Sequence, residues 1–318
     1  MKRLFDLKCY TKAIQWLFFW CIGSVIRYGE RFLIKKYSKL PLKHQPIFII
    51  GAPRTGSTIF YQSLTNQFDV LYIDNFASKL FRNMFFGFWA SNILFKQKAH
   101  NSFESLHGNS VGLHAPSECG SFWYRWFPKD SHFVDHDGLG AKSVQEINRE
   151  ITAITNYYDK PVVFKNLNAG QRLRVLYKVF PNAKFVFIRR DPFYTAQSIL
   201  KAKRKEGLRD DEFWSIMPAN VSELKKMGWS AQIVKQIYFL EKQIVEDSSL
   251  FSSGSIYQVW YQELNADVLS EIGRSLRLSE RSSFVQPELR IRDTISVSDD
   301  ESKKIRNEIS KLNWSDWV

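Results

Sequence analysis

The chain should fold as a single α/β domain in which a parallel sheet is flanked by helices on both faces, giving three layers. From Pro46 onward, short apolar runs alternate with helical patterns, the order that builds a parallel sheet and gathers ligands at the carboxyl ends of its strands. Twice such a run ends in a turn that starts a helix. The first is PIFIIGAPRTGSTIFYQSL, Pro46 to Leu64, and the second is Phe185 to Ile188 followed by Arg190, Asp191 and Pro192. A chain of 318 residues with 44% hydrophobic and 15% aromatic content can bury one large core without a second domain. No internal repeat or low-complexity segment interrupts it.

Residues 1–45 read as a separate segment ahead of a domain over 46–318. Ala13 to Ile26 carries no charge and includes WLFFWCIGSVI, with Lys2, Arg3, Lys8 and Lys12 before it and Arg27, Arg31, Lys35, Lys36 and Lys39 after it. The stretch is shorter than the ~20 apolar residues a helix needs to cross a bilayer. Bulky Arg27 and Tyr28 stand where a secretory signal would place a small-residue cleavage site. Two readings remain: a helix lying in an anionic membrane interface, or a helix packed on the domain.

In the next element, Gly51 and Gly56 enclose four residues, and Ser57 and Thr58 follow. This is the glycine spacing of a phosphate-binding loop, but a nucleotide kinase would carry lysine at the position of Ser57. The cation is instead Arg54. Backbone N–H groups and the positive end of the following helix can still cradle a phosphate, with Arg54 as a forked donor. The expected architecture is thus P-loop-like, for something other than ATP hydrolysis; a kinase or nucleotide hydrolase is disfavoured by Ser57 and by the lack of a clear Walker B acid. Further on, Phe185 to Ile188 is an apolar strand, Asp191 can cap a helix, and Pro192 suits the first helical position. Arg190 then sits between a strand end and a helix start as a second anion site, or else pairs with Asp191 on the surface. Ser230 to Glu246, with Ile233, Ile237, Leu240, Ile244 and Val245 at helical spacing, reads as a core helix.

These motifs resemble those of sulfotransferases that use 3′-phosphoadenosine 5′-phosphosulfate (PAPS). PRTGST resembles their 5′-phosphosulfate loop. VVFKNLNAGQRLRVLYKVFPNAKFVFIRRDPFYTAQSI, Val162 to Ile199, resembles their lysine-ended strand, helix, strand, and R-D-P with a serine eight residues after the arginine, here Arg190 and Ser198. IYQVWYQELNADVLSEIGRSLRL, Ile256 to Leu278, looks like the Y-E-x-L segment before the family's late helix. The likeness is nearest to bacterial enzymes of the PRSGTT type and to tyrosylprotein sulfotransferases.

The resemblance implies an enzyme that moves a sulfuryl group from PAPS, leaving the bisphosphate nucleotide PAP, without a metal. It implies that Arg54, Thr55, Gly56, Ser57 and Thr58 hold the 5′ end and that Arg190 and Ser198 hold the 3′-phosphate. It also puts Arg54 at the leaving oxygen and Lys165, at the end of the strand Val162 to Phe164, opposite the transferring group. For the general base it offers alternatives. Tyrosylprotein enzymes use a glutamate downstream of the loop, where Asp74 is the nearest acid here. PSECGSFW resembles a P-x-E-x-G-x-x-W segment of bacterial relatives, and a Glu118 carboxylate before Phe122, Trp123 and Trp126 would be partly desolvated, which raises its pKa toward the range for proton abstraction. Glu118 is preferred, then Asp74, then His114. A nucleotide-binding or membrane-associated module without activity is the alternative from outside enzymes.

The 45 Lys and Arg against 32 Asp and Glu, a formal +13, suit an anionic cofactor, an acidic saccharide or a phospholipid surface. The basic residues are dispersed and no nucleic-acid module signature accompanies them, so nucleic acid is disfavoured. Cys9, Cys21 and Cys119 form neither a disulfide framework nor a zinc pattern, which fits a reducing cytoplasm, with the inner membrane face as a peripheral site. Two segments should form the acceptor side: Phe76 to Phe95, rich in phenylalanine, and Lys201 to Met227, which resembles the family's variable cover. Their apolar, basic-edged composition suits a hydroxyl of a saccharide, glycolipid or related lipid-linked acceptor.

Overall fold

The computed structural model describes residues 26–96, 98–106, 109–285, 287, 289, 291 and 293–314. Most of the uncharged stretch Ala13 to Ile26, and with it the interface-helix expectation, lies outside them. A helix over 26–37 (α1) precedes β1 (Ile47–Ile50), which leads through the glycine turn into α2 (Ser57–Gln67). α3 (Met84–Phe95), a short hairpin of β2 (Ser105–Leu106) and β3 (Asn109–Ser110), α4 (Gly120–Trp123) and the long α5 (Ala141–Tyr158) follow. Then come β4 (Val163–Lys165), α6 (Leu173–Val179), β5 (Lys184–Arg189), α7 (Pro192–Lys205), α8 (Val221–Leu224) and α9 (Trp229–Ser248). β6 (Ile256–Trp260), α10 (Ala266–Ser275) and α11 (Asp299–Ser310) complete the fold.

Four strands form one parallel sheet in the order β4-β1-β5-β6. Its layers follow from the alternation of side chains along β1. Ile47 and Ile49 join Phe60 and Leu64 of α2 and Leu269 and Ile272 of α10 in one core. Phe48 and Ile50 face the opposite core with Ile147 and Ile151 of α5 and Leu173 and Leu176 of α6. A third cluster joins α7, α9 and α11 through Ile199, Ile233, Ile237 and Ile305. The helix expected over Ser230 to Glu246 is therefore α9, with its stripe buried.

Over its described part, the N-terminal segment packs on the domain. Leu33, Ile34, Tyr37 and Leu42 lie against the larger core. Asn156 of α5 donates to the carbonyls of Tyr37, Leu40 and Pro41 and accepts the N–H of Lys43.

Candidate active site

The carboxyl ends of β1, β4 and β5 converge on a cavity of about 1530 Å³. At its floor the β1–α2 loop turns tightly. Gly51 (φ 146°) lies so close to the Ile188 carbonyl that a Cβ there would collide with it, and Gly56 (φ 85°) leaves no room for a Cβ against the Tyr261 ring. Arg54 adopts φ 70°, uncommon for a side-chain-bearing residue. α2 starts at Gly56 with neither a side-chain cap nor an acid in its first turn. The positive end of its dipole there can receive an anion.

Arg54 and Arg190 face this helix start. The Arg54 Nε donates to Ser198 Oγ at 2.9 Å, and its guanidinium lies 5.7 Å from the Trp214 ring. Burial, and then the neighbouring Arg190, lower the Arg54 pKa from its ordinary value. Arg190 donates to the Arg54 carbonyl at 3.0 Å, reaches Asp293 at 2.6 and 3.0 Å, and stands over the Tyr261 ring at 4.4 Å. Asp191 caps α7 by accepting the Phe193 N–H at 2.8 Å, with Pro192 in the first position, so the Arg190–Asp191 surface pair is not formed as such.

Lys165 ends β4 with its side chain buried, its ammonium 3.1 Å from Thr58 Oγ1 and in direct contact with the Glu118 carboxylate. Glu118 stays 39% exposed at the side chain and faces the cavity. The aromatic setting expected for it is absent, because Phe122 and Trp123 turn into the core against Phe48 and Phe164. Lys165, rather than the rings, is its close neighbour.

Asp74 and His114 lie elsewhere. Asp74 is buried, accepting the Ala77 N–H at 2.7 Å, the Ser91 hydroxyl, and a bond from His114 Nδ1 at 3.0 Å. Both line a separate cavity of about 50 Å³, too small for an acceptor, and Asp74 spends its lone pairs on holding a turn. Expectation and structure also part over Phe76 to Phe95, of which Ser78 alone lines the large cavity. Met84, Phe85 and Phe88 are core, while Trp89, Ile93 and Leu94 are exposed. The Lys201 to Met227 cover does roof the cavity, through Lys201, Leu208, Phe213, Trp214 and Ile216 among others.

Sequence reasoning missed Tyr124, His132, Asn168, Tyr261 and Asp293. Asn168 donates to the Tyr124 hydroxyl at 3.2 Å, and the His132 Nδ1 accepts the Met217 N–H at 2.8 Å, which ties the cover to this wall. Burial, with Arg172 nearby, lowers the His132 pKa to about 4, so its ring is neutral with the proton on Nε2. Tyr261 lies in the YQEL segment and could have been flagged there. Nothing in the sequence around Asp293 signals a partner 103 residues earlier. Among the described residues no group of acids, histidines or cysteines is arranged to hold a metal.

A family model described as the sulfotransferase family matches residues 46–278. The chain belongs to this family. Its relatives include the omega-hydroxy-beta-dihydromenaquinone-9 sulfotransferases Stf3 of Mycobacterium bovis and Mycobacterium tuberculosis. Each is 21% identical over 286 residues, covering 82% of this chain and 70% of the relative. Among solved structures, sulfotransferase STF9 from Mycobacterium avium aligns with 13% identity and a TM-score of 0.47 over 86% of this chain and 69% of that one. A sulfotransferase from Alicyclobacillus acidocaldarius aligns with 12% identity and a TM-score of 0.43 over 85% and 94%. In this sulfotransferase the glycine loop, the lysine-ended strand and the Arg190-Asp191-Pro192 turn meet at one cavity on a four-stranded parallel sheet.

Proposed function

We propose that this sulfotransferase moves the sulfuryl group of PAPS to a hydroxyl of a saccharide, glycolipid or other lipid-linked acceptor. The supporting observation is the contact chain Glu118–Lys165–Thr58 at the bare N-terminus of α2. The residues fit the nucleotide: Arg54, Thr55, Gly56, Ser57 and Thr58 would surround its 5′ end, and Arg190 with Ser198 would meet its 3′-phosphate. When bound, PAPS supplies an activated sulfur–oxygen bond.

The chain's own groups then divide the work. Glu118 takes the proton of the acceptor hydroxyl, whose oxygen bonds to sulfur as the bond from sulfur to the bridging phosphate oxygen breaks. The ammonium of Lys165 stabilises negative charge on the sulfuryl oxygens, and Arg54 with the α2 N–H groups stabilises the departing phosphate oxygen. Tyr124, His132 Nε2–H and Asn168 offer hydrogen bonds to a polar acceptor, and Trp214 and Ile216 an apolar roof. The relatives' name specifies an omega-hydroxylated, lipid-like acceptor, which agrees with such a mixed lining. Incubation with sulfur-labelled PAPS and lipid and polysaccharide extracts should label an acceptor. Absence of labelling, with PAPS bound but intact, would instead favour a binding module.

A further inference from the structure

We propose that a second cavity, between α1 and α5, binds the phosphate of an anionic phospholipid headgroup. It measures about 620 Å³ and shares no lining residue with the active-site cavity. Helical spacing sets Arg27, Glu30, Arg31 and Ile34 of α1 on one face, and all four line it. Arg149 of α5 and Arg82, just before α3, stand across from them.

Four of the five guanidiniums lining it lack anionic partners among the described residues, the exception being Arg125. Arg27, Arg31, Arg82 and Arg149 make no side-chain hydrogen bond or ion pair with any described residue, and the Arg27 Nε is buried without an acceptor. Each acid present holds at least one partner, although the Glu150 Oε1 is buried without one. Glu150 pairs with Arg125 at 2.8 Å, Glu146 accepts the Trp126 indole N–H at 3.1 Å, and Glu30 accepts from Asn83 and from the Phe86 N–H, each at 3.1 Å. Burial, and then repulsion by Glu150, raise the Glu30 pKa to about 7, so near neutrality it offsets only part of the positive charge. Four guanidiniums lining one open volume suit a tetrahedral oxyanion, which can accept several charge-assisted hydrogen bonds at once.

The adjoining face of α1 identifies the source of that phosphate. Tyr28 and Phe32 are 83% and 69% exposed there, beside exposed Lys35, Lys36 and Lys39. Exposed aromatics flanked by lysines suit the headgroup region of a bilayer, so the phosphate would arrive with acyl chains alongside α1. This reading is independent of the catalytic assignment.

The test separates a built site from diffuse attraction. The substitution Arg27→Lys/Arg31→Lys/Arg149→Lys keeps every charge and removes the forks. Full-length protein should cosediment with phosphatidylcholine vesicles containing phosphatidylglycerol and not with phosphatidylcholine alone. The triple variant should partition about tenfold more weakly at an unchanged melting temperature. Should the triple variant melt early, Arg149→Lys alone, on the exposed side of α5, carries the same comparison with a smaller loss. Equal partitioning of variant and wild type would mean attraction by charge alone and would overturn the proposal. So would calorimetric binding of inorganic phosphate by a wild type that ignores both kinds of vesicle, since the site would then serve a soluble oxyanion.

Discussion

If Arg190 receives the 3′-phosphate of the nucleotide, Asp293 competes for the same guanidinium. Two Arg190 N–H groups reach one Asp293 oxygen at 2.6 and 3.0 Å, and the two side chains are only 10% and 14% exposed, so solvent screens the pair weakly. The nucleotide must displace this carboxylate or share the arginine with it. Asp293→Asn keeps the size of the side chain and can still accept from Gln262 Nε2, which lies 2.9 Å from Asp293 Oδ2, but it removes the negative charge. A hydrogen bond to a charged group contributes about 1.5–3 kcal/mol. Relieving the competition should therefore tighten binding of adenosine 3′,5′-bisphosphate by roughly 10- to 150-fold. AMP, which has no 3′-phosphate, should bind as before. Isothermal titration of both nucleotides at one ionic strength reads the ratio directly, with Arg190→Ala as the control that erases it in either background. No change for either nucleotide would refute the competition, a parallel rise for AMP would show that the gain does not pass through the 3′-phosphate, and wild-type binding of AMP as tight as that of the bisphosphate would count against PAPS as donor.

Three further outcomes are expected. Glu118→Gln should retain nucleotide binding in calorimetry while sulfuryl transfer falls by roughly 10²–10⁴-fold; near-normal turnover would move the proton acceptor elsewhere in the cavity. Transfer should survive EDTA, and a loss restored by magnesium would point to phosphoryl chemistry. The third outcome concerns stability against pH. The Glu30 carboxyl titrates near 7 in the folded chain against an ordinary 4.5, so the folded state holds this proton more tightly than the unfolded one. Its contribution is complete below pH 4.5 and is lost as pH rises to about 7, a decline on the order of 3 kcal/mol. Glu30→Gln should flatten that part of the urea-unfolding profile between pH 5 and 8, and an unchanged slope would assign it to other groups.

The parts of the site that could be read in advance are those held by local chain geometry. Gly51 and Gly56 take the positive φ values 146° and 85° that favour glycine, and Asp191 with Pro192 forms a cap within three residues. Such constraints leave a signature in a short window, as does the buried face of α9. Asp74 and Glu118 mark the limit. Both are acids in the stretch after the loop, and composition cannot distinguish them. What separates them is tertiary: Asp74 sits at an isolated bridge to Pro116, buried under the Ser91 and His114 bonds, whereas the chain emerges two residues after that bridge to place Glu118 on Lys165.

The aromatic residues misled for a related reason. Phe122, Trp123 and Trp126 follow Glu118 in sequence, but past the turn at Cys119 (φ 41°) Phe122 and Trp123 enter the core and Trp126 lines the second cavity, while the carboxylate faces the active-site cavity. Adjacency along a chain predicts environment only where the backbone between the residues is regular. The same argument explains why Asp293 and the α1 arginines were invisible as partners. Asp293 meets Arg190 only after α7, α9 and β6 have been laid down between them. Arg27 and Arg149 line one cavity only because α1 and α5 pack together across the larger core, through Tyr37 and Tyr157 at 5.1 Å and the carbonyls gathered by Asn156. Charge placed by such packing is specific, whereas charge counted along the sequence gives only the formal +13. The Arg-to-Lys exchange at α1 and α5 leaves that sum untouched, so any loss of vesicle binding must come from the geometry of the guanidiniums.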